Sequence, residues 1–113
     1  MMINMKIISF AWTKEKIRSG KKYETRRKWK DSYAKRFKRG NIVAAYDKQP
    51  YFGGNFIRLI RLTKEVYRQK LKDMTKENLR REGGLWTKNE FIDLFGGDPE
   101  FAPWVVEFKY VDK

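Results

Sequence analysis

The stretch "SGKKYETRRKW", residues 19–29, decides how this chain is read. From residue 22 onward it alternates: Tyr23, Thr25, Arg27 and Trp29 share one face of an extended chain, and Lys22, Glu24, Arg26 and Lys28 share the other. A period of two predicts a strand over 22–29. That strand would carry most of a run of five cations, Lys21, Lys22, Arg26, Arg27 and Lys28, around the lone Thr25. Such a strand could be a solvated basic edge, a phosphate-binding surface or the wall of a catalytic pocket.

The flanking sequence supplies more strands. "KIISF" (6–10) is apolar enough for a buried strand, and "NIVAAY" (41–46) reads as another. "FIRLIRLT" (56–63) and "EVYRQKL" (65–71) read as two more, and "WVVEFKYV", after Pro103, as the last. In that last strand Val106, Phe108 and Tyr110 oppose Val105, Glu107 and Lys109. Helices are shorter. Thr13 would cap one over 14–19 that stops at Gly20, and "SYAKRF" (32–37) would form a turn closed by Gly40. Thr75 opens "KENLRRE", which ends at Gly83-Gly84. Thr87 and Glu90 form a T-x-x-E capping box before "KNEFIDLF". The glycine-rich 47–55 reads as a hairpin loop; its "FGGN" could also let a phosphate approach backbone amides. About six strands with short helices between them predict an α+β class, a small mixed β-barrel with helices at its rim.

The 113 residues suggest a single domain, 1–113. With 41% hydrophobic residues, four Trp, six Tyr and eight Phe, the chain can build a core despite 36% charged residues. No apolar run reaches the roughly 20 residues of a membrane span, and the N-terminus reads as a strand rather than a signal peptide. A cytoplasmic monomer with no membrane partner is expected. The chain has neither Cys nor His. That excludes zinc sites of the usual Cys/His kind, Ser–His and Cys–His nucleophile pairs, and histidine acid–base chemistry. No metal and no cofactor are expected, and any catalysis falls to Lys, Thr, Ser, Tyr or carboxylates.

The net charge of +13 is local. Residues 14–39 hold 13 Lys or Arg against Glu15, Glu24 and Asp31, whereas 40–113 hold 13 bases against 11 acids. A concentrated basic field suits a polyanion, though a solvated charged surface gives the same count.

Four pieces in order resemble the ASCH domain family of the PUA-like superfamily: "GKKYETRR", "FKRGNIVAAY", "MTKENLRREGG" and the terminal "VVEFKYV". The most specific are G-x-K-x-x-T-x-R at Gly20, Lys22, Thr25 and Arg27, and E-G-G at Glu82, Gly83 and Gly84. The resemblance spans nearly the whole chain. It implies a PUA-like barrel with a cleft that handles RNA or a modified nucleoside, DNA being a further candidate ligand. Some members look like RNA binders and some like ribonucleases; one small bacterial member removes acetyl from acetylated cytidine with a Lys, a Thr and a Glu. Those roles map onto Lys22, Thr25 and Glu82. The long basic segment 26–39 and Trp12, Trp29 and Trp86 depart from what the resemblance accounts for.

The expected function is RNA or nucleotide binding in a basic cleft. The alternatives are an amidohydrolase acting on N4-acetylcytidine and a metal-independent ribonuclease. Each residue has a plainer reading. Lys22 is one cation among many, or a base whose pKa is lowered by Arg26, Arg27 and burial. Thr25 suits a strand on propensity alone, or is a nucleophile. Three residues apart on a regular strand, the two would point to opposite faces unless a turn intervenes. Glu82 ends a helix, where the dipole disfavours a carboxylate, so it needs salt bridges or a functional partner. Lys21, Arg26, Arg27 and Lys28 are candidate phosphate contacts. Trp12, Trp29 and Tyr23 are candidate stacking platforms, each of which could instead pack in the core.

Overall fold

The computed structural model describes residues 5–111. Six strands, β1 (Lys6–Ser9), β2 (Glu24–Arg27), β3 (Ile42–Tyr46), β4 (Phe56–Leu62), β5 (Tyr67–Arg68) and β6 (Trp104–Tyr110), form one mixed sheet. Its path is β1-β3-β4-β6-β2, with β5 also paired to β6. β1 runs parallel to β3 and every other pairing is antiparallel. The sheet curls into a half-barrel, as the count of strands and short helices predicts. Residues 1–4, which the reading of the N-terminus as a strand includes, lie outside the described residues.

β6 organises the sheet. Its first half pairs with β2 on one side (Thr25 opposite Val106) and β5 on the other (Tyr67 opposite Val105). Its second half pairs with β4, Leu62 opposite Phe108. Val105 and Val106, which point to opposite faces, are both fully buried. The expected strand over 65–71 shrinks to two residues. The chain leaves β4 at Thr63, whose amide donates to the Glu107 carbonyl (2.9 Å), and after β5 turns into a 3₁₀ turn at Leu71–Asp73.

Four short helices, α1 (Lys14–Arg18), α2 (Asp31–Ala34), α3 (Lys76–Arg81) and α4 (Lys88–Leu94), flank the sheet. Among the described residues no helix is long and apolar enough to cross a membrane. Thr87 and Glu90 form the expected capping box of α4. Thr75 caps α3 in the same way, with Asn78 as the reciprocal partner. Thr13 precedes α1 without a side-chain cap bond. The loop 47–55 is a hairpin connection: the Asn55 amide donates to Asp47 Oδ1 (2.7 Å) and the Asp47 amide to the Asn55 carbonyl (3.0 Å). Gly54 is obligatory there, since a Cβ would lie 1.8 Å from the Lys48 carbonyl oxygen.

Two apolar clusters result. The larger fills the curled sheet with Ile8, Phe10, Ile17, Phe37, Val43, Ile60, Leu62, Val106 and Phe108. The smaller lies beneath α3 and α4, where Leu71, Met74 and Phe91 gather Leu79, Trp86, Phe95 and Phe101 around them.

Candidate active site

A cavity of about 350 Å³ opens where the half-barrel fails to close. One wall is the chain leaving β1, residues 9–13; the other is β2 with its flanks, Lys22 and 25–28. β1 and β2 are the two ends of the sheet path, so the cavity occupies the seam between its edges. Phe10 from the larger cluster and Trp86, Phe91 and Phe95 from the smaller supply apolar walls, and Glu82 completes the lining.

The local sequence explains how Lys22 reaches this cavity. β2 begins only at Glu24, and the chain between α1 and β2 is irregular, so the alternation does not extend back to Lys22. Gly20 turns the chain with φ of +74°, a conformation suited to glycine. The C-terminus of α3 then clamps the lead-in. The Tyr23 amide donates to the Arg81 carbonyl (2.7 Å), and Lys22 Nζ donates to the Glu82 carbonyl (2.7 Å). Gly83 and Gly84, with φ of +125° and +71°, end the helix and leave Glu82 buried.

Lys22 and Glu82 are each 2% exposed. Lys22 Nζ donates to Glu82 Oε1 (2.7 Å), and Arg26 Nη1 donates to Glu82 Oε2 (2.8 Å). The cost of a carboxylate at a helix C-terminus is thus offset: the ammonium of Lys22 meets both the carboxylate and the orphan carbonyl beside it. Burial pushes the Lys22 ammonium below the ordinary lysine range. Glu82 pulls the other way, and Arg27 and Arg26 add to the lowering. A neutral lysine keeps two N–H donors and gains a lone pair. Here the Glu82 carbonyl and Oε1 can hold both donors, which leaves the lone pair for a proton from the cavity.

The buried charges extend past Glu82. Arg26 Nη1 also donates to Glu24 Oε2 (2.6 Å), and its other terminal nitrogen bonds the Gln69 side chain. Glu24 Oε1 accepts from Arg81 Nε (3.0 Å), and Glu24 Oε2 from the Asn78 amide (3.1 Å). Arg26 therefore holds the cavity floor together, and its fork is occupied by the protein's own carboxylates. Glu24, Gln69, Asn78 and Arg81 did not stand out as site residues in the sequence. Glu24 alone gave a usable signal: it shares its strand face with Arg26 in a segment with very few acids.

Thr25 is buried and lines the same cavity; its Oγ1 accepts from Arg27 Nε at 3.2 Å. Arg27 has no carboxylate within salt-bridge distance among the described residues, and its guanidinium lies 4.9 Å from the Phe10 ring centre. Burial lowers its pKa to about 10, against the opposing pull of Glu82 and Tyr33, so it stays cationic at neutral pH. Lys28 is exposed and lines the cavity mouth. Trp12, 73% exposed, stands in the cavity wall.

The remaining candidates lie elsewhere. Lys21 is exposed and its amide donates to the Lys16 carbonyl. Tyr23 packs edge-on against Tyr110 with Arg81 over its ring. Trp29 stacks on Phe37 at 4.4 Å between ring centres and packs against the larger core. Neither aromatic lines the cavity, whereas Trp86 does. Among the described residues no three metal-ligating side chains gather to hold a metal ion.

No family model matches this sequence, and no curated protein matches it closely. The fold has a solved counterpart in protein EF3133 from Enterococcus faecalis, described under the family model DUF984. The two superpose with a TM-score of 0.72 at 17% identity, over 98% of this chain and 82% of that one. At that identity the likeness establishes the fold: a six-stranded, barrel-like α+β architecture shared along almost the whole chain.

Proposed function

We propose that the seam cavity binds a nucleobase and hydrolyses an acyl group from its exocyclic amine, in the manner that the ASCH resemblance implies. The observation that carries this reading is the buried Lys22–Glu82 contact in the wall of a cavity that also contains the Thr25 hydroxyl. A volume of about 350 Å³ lies at the small end of small-molecule sites, about 300–1,000 Å³, which suits one nucleoside. Aromatic walls suit a base, and Lys, Thr and Glu suffice for acyl transfer without His or Cys.

In this mechanism neutral Lys22 takes the Thr25 hydroxyl proton as Thr25 Oγ1 adds to the acyl carbonyl. Arg27 faces the developing oxyanion with N–H groups that no carboxylate occupies. Collapse breaks the C–N bond, and Lys22 returns the proton to the departing amine. Water then attacks the Thr25 ester with Lys22 again as base, releasing the carboxylic acid and restoring the hydroxyl. Glu82 does not react; it fixes the lysine and its two donors. RNA cleavage would also need charge relief at a leaving 5′-oxygen, a demand these three groups meet less directly.

The test incubates the protein with N4-acetylcytidine and, separately, with structured RNA, followed by chromatography. Deacetylation lost in Thr25→Val and in Lys22→Arg, which keeps the charge but gives up no proton, supports the reading. Intact N4-acetylcytidine sinks it, and RNA fragments lost in the same variants would favour a nuclease. The pH dependence has a defined sign. The active base is neutral Lys22, so kcat/KM should rise with pH through the lowered Lys22 range. It should fall again near pH 10 as Arg27 loses its proton.

RNA binding is the second reading. It rests on the exposed cations of 28–39 and on Trp12 in the cavity wall.

A further inference from the structure

A second cavity of about 280 Å³ adjoins the first and shares Arg27, Lys28 and Phe95 with it. Its own walls include Trp29, Arg68, Phe101 and Trp104. The guanidinium of Arg68 lies 5.6 Å from the Trp104 ring centre, and the amine of Lys28 lies 5.8 Å from that of Phe101. Arg68 Nε donates to the Ala102 carbonyl (2.7 Å), and its Nη1 stands 3.7 Å from Asp31 Oδ1, a loose pairing with its side chain 47% exposed. The lining carboxylate, Asp98, has Oδ1 bonded to the Glu100 amide at 2.9 Å. Three cations thus face one acid. Trp104 adds a buried indole N–H that finds no acceptor among the described residues.

We propose that this second cavity is the subsite for a neighbouring nucleotide, so that the ligand is a base within a strand rather than a free nucleoside. This rests on the nucleobase reading of the first cavity. Arg27 and Lys28, common to both cavities, stand where a linking phosphate must pass. Arg27 is suited to it, being a cation already stripped of much of its water and lacking a carboxylate. The adjoining base then lies among Trp104, Phe101 and the Arg68 guanidinium, a set that holds any base by its π-face. Neither half of this arrangement suits an apolar ligand, because cations line both mouths.

Affinity tests this apart from turnover. Titration calorimetry compares cytidine, its 3′- and 5′-monophosphates, and the dinucleotides CpU and UpC, all at one salt concentration. One of the two dinucleotides should bind at least tenfold more tightly than cytidine and more tightly than the corresponding monophosphate. Arg68→Ala should remove most of that gain, and Lys28→Ala provides a second variant should Arg68→Ala prove unstable. Dinucleotides no tighter than the monophosphates would overturn the subsite, as would a gain untouched by both variants. Cytidine that fails to bind at all refutes the first-cavity reading instead, so the two failures are told apart.

Discussion

The basic segment 14–39 divides into two regions that differ in everything but composition. Lys22 and Arg26 are buried, each bonded to Glu82, and Arg26 also to Glu24. Lys28, Lys30, Lys35, Arg36, Lys38 and Arg39 are exposed. Inside, Lys22 and Arg26 each have a fixed partner and cannot leave it without exposing another charge to a dry interior, whereas Arg27 beside them has no carboxylate among the described residues. Outside, each is solvated and free to meet a ligand. A surplus of cations in sequence is therefore not a patch: part of it is the internal scaffold of a pocket.

The sharpest break in that comparison is Glu24→Ala. It strands Arg26 and Arg81 without their shared carboxylate. Removing one partner of a buried pair costs about 3–5 kcal/mol, and a domain near this size loses roughly 4–8 °C per kcal/mol. Thermal denaturation should show Tm falling by more than about 12 °C, or no folded protein at all. The triple variant of Lys35, Arg36 and Lys38 to Ala should leave Tm where it was. Equal losses in the two would erase the distinction.

A smaller effect separates two tryptophans. Trp12→Ala should weaken nucleoside binding about tenfold with Tm unchanged, since stacking on one aromatic is worth roughly 1–3 kcal/mol. Trp29→Ala should do the reverse, lowering Tm by emptying the space beside Phe37. A Trp12 variant that loses stability would place that ring in the core.

The smallest effect is in the salt dependence. If the exposed cations meet phosphates, log affinity for single-stranded RNA falls linearly with log salt. Replacing Lys28, Lys30 and Arg36 by Ala should flatten that slope by about two to three counterions, while cytidine binding changes little with salt. A slope indifferent to the triple variant removes this surface from any RNA contact.

Where local rules act alone, the sequence was readable. The T-x-x-E box placed the start of α4, and alternation placed β6, because each depends on neighbours a few residues apart. The break after Thr63 was read, but the shrinkage of β5 to Tyr67–Arg68 was not readable. It arises because β6 passes from one partner to the other, and nothing within 63–66 announces that. At the site, Lys22, Thr25 and Glu82 line one cavity, but the sequence could not show how Lys22 gets there. The strand begins two residues later than alternation implies, and only the distant end of α3 fixes the lead-in. Arg26 shows the limit most plainly: its type suggests a phosphate fork, and its partners, Glu24, Gln69 and Glu82, turn it inward.

The pairing of β2 with β6 also sets an order of assembly. β2 pairs with β6 and Lys22 reaches Glu82, so the strand and the carboxylate that fix the basic segment from outside are made after it. On the ribosome, residues 14–39 emerge with 13 bases against three acids of their own, before Glu82 exists. β2 has no strand to join until nearly the whole described chain has been synthesised. Contacts this distant in sequence must first meet the entropy of closing a long loop, which makes folding slow for the chain's size. The nascent protein thus spends its longest unfolded interval with its most basic segment bare, beside the polyanionic RNA of the ribosome.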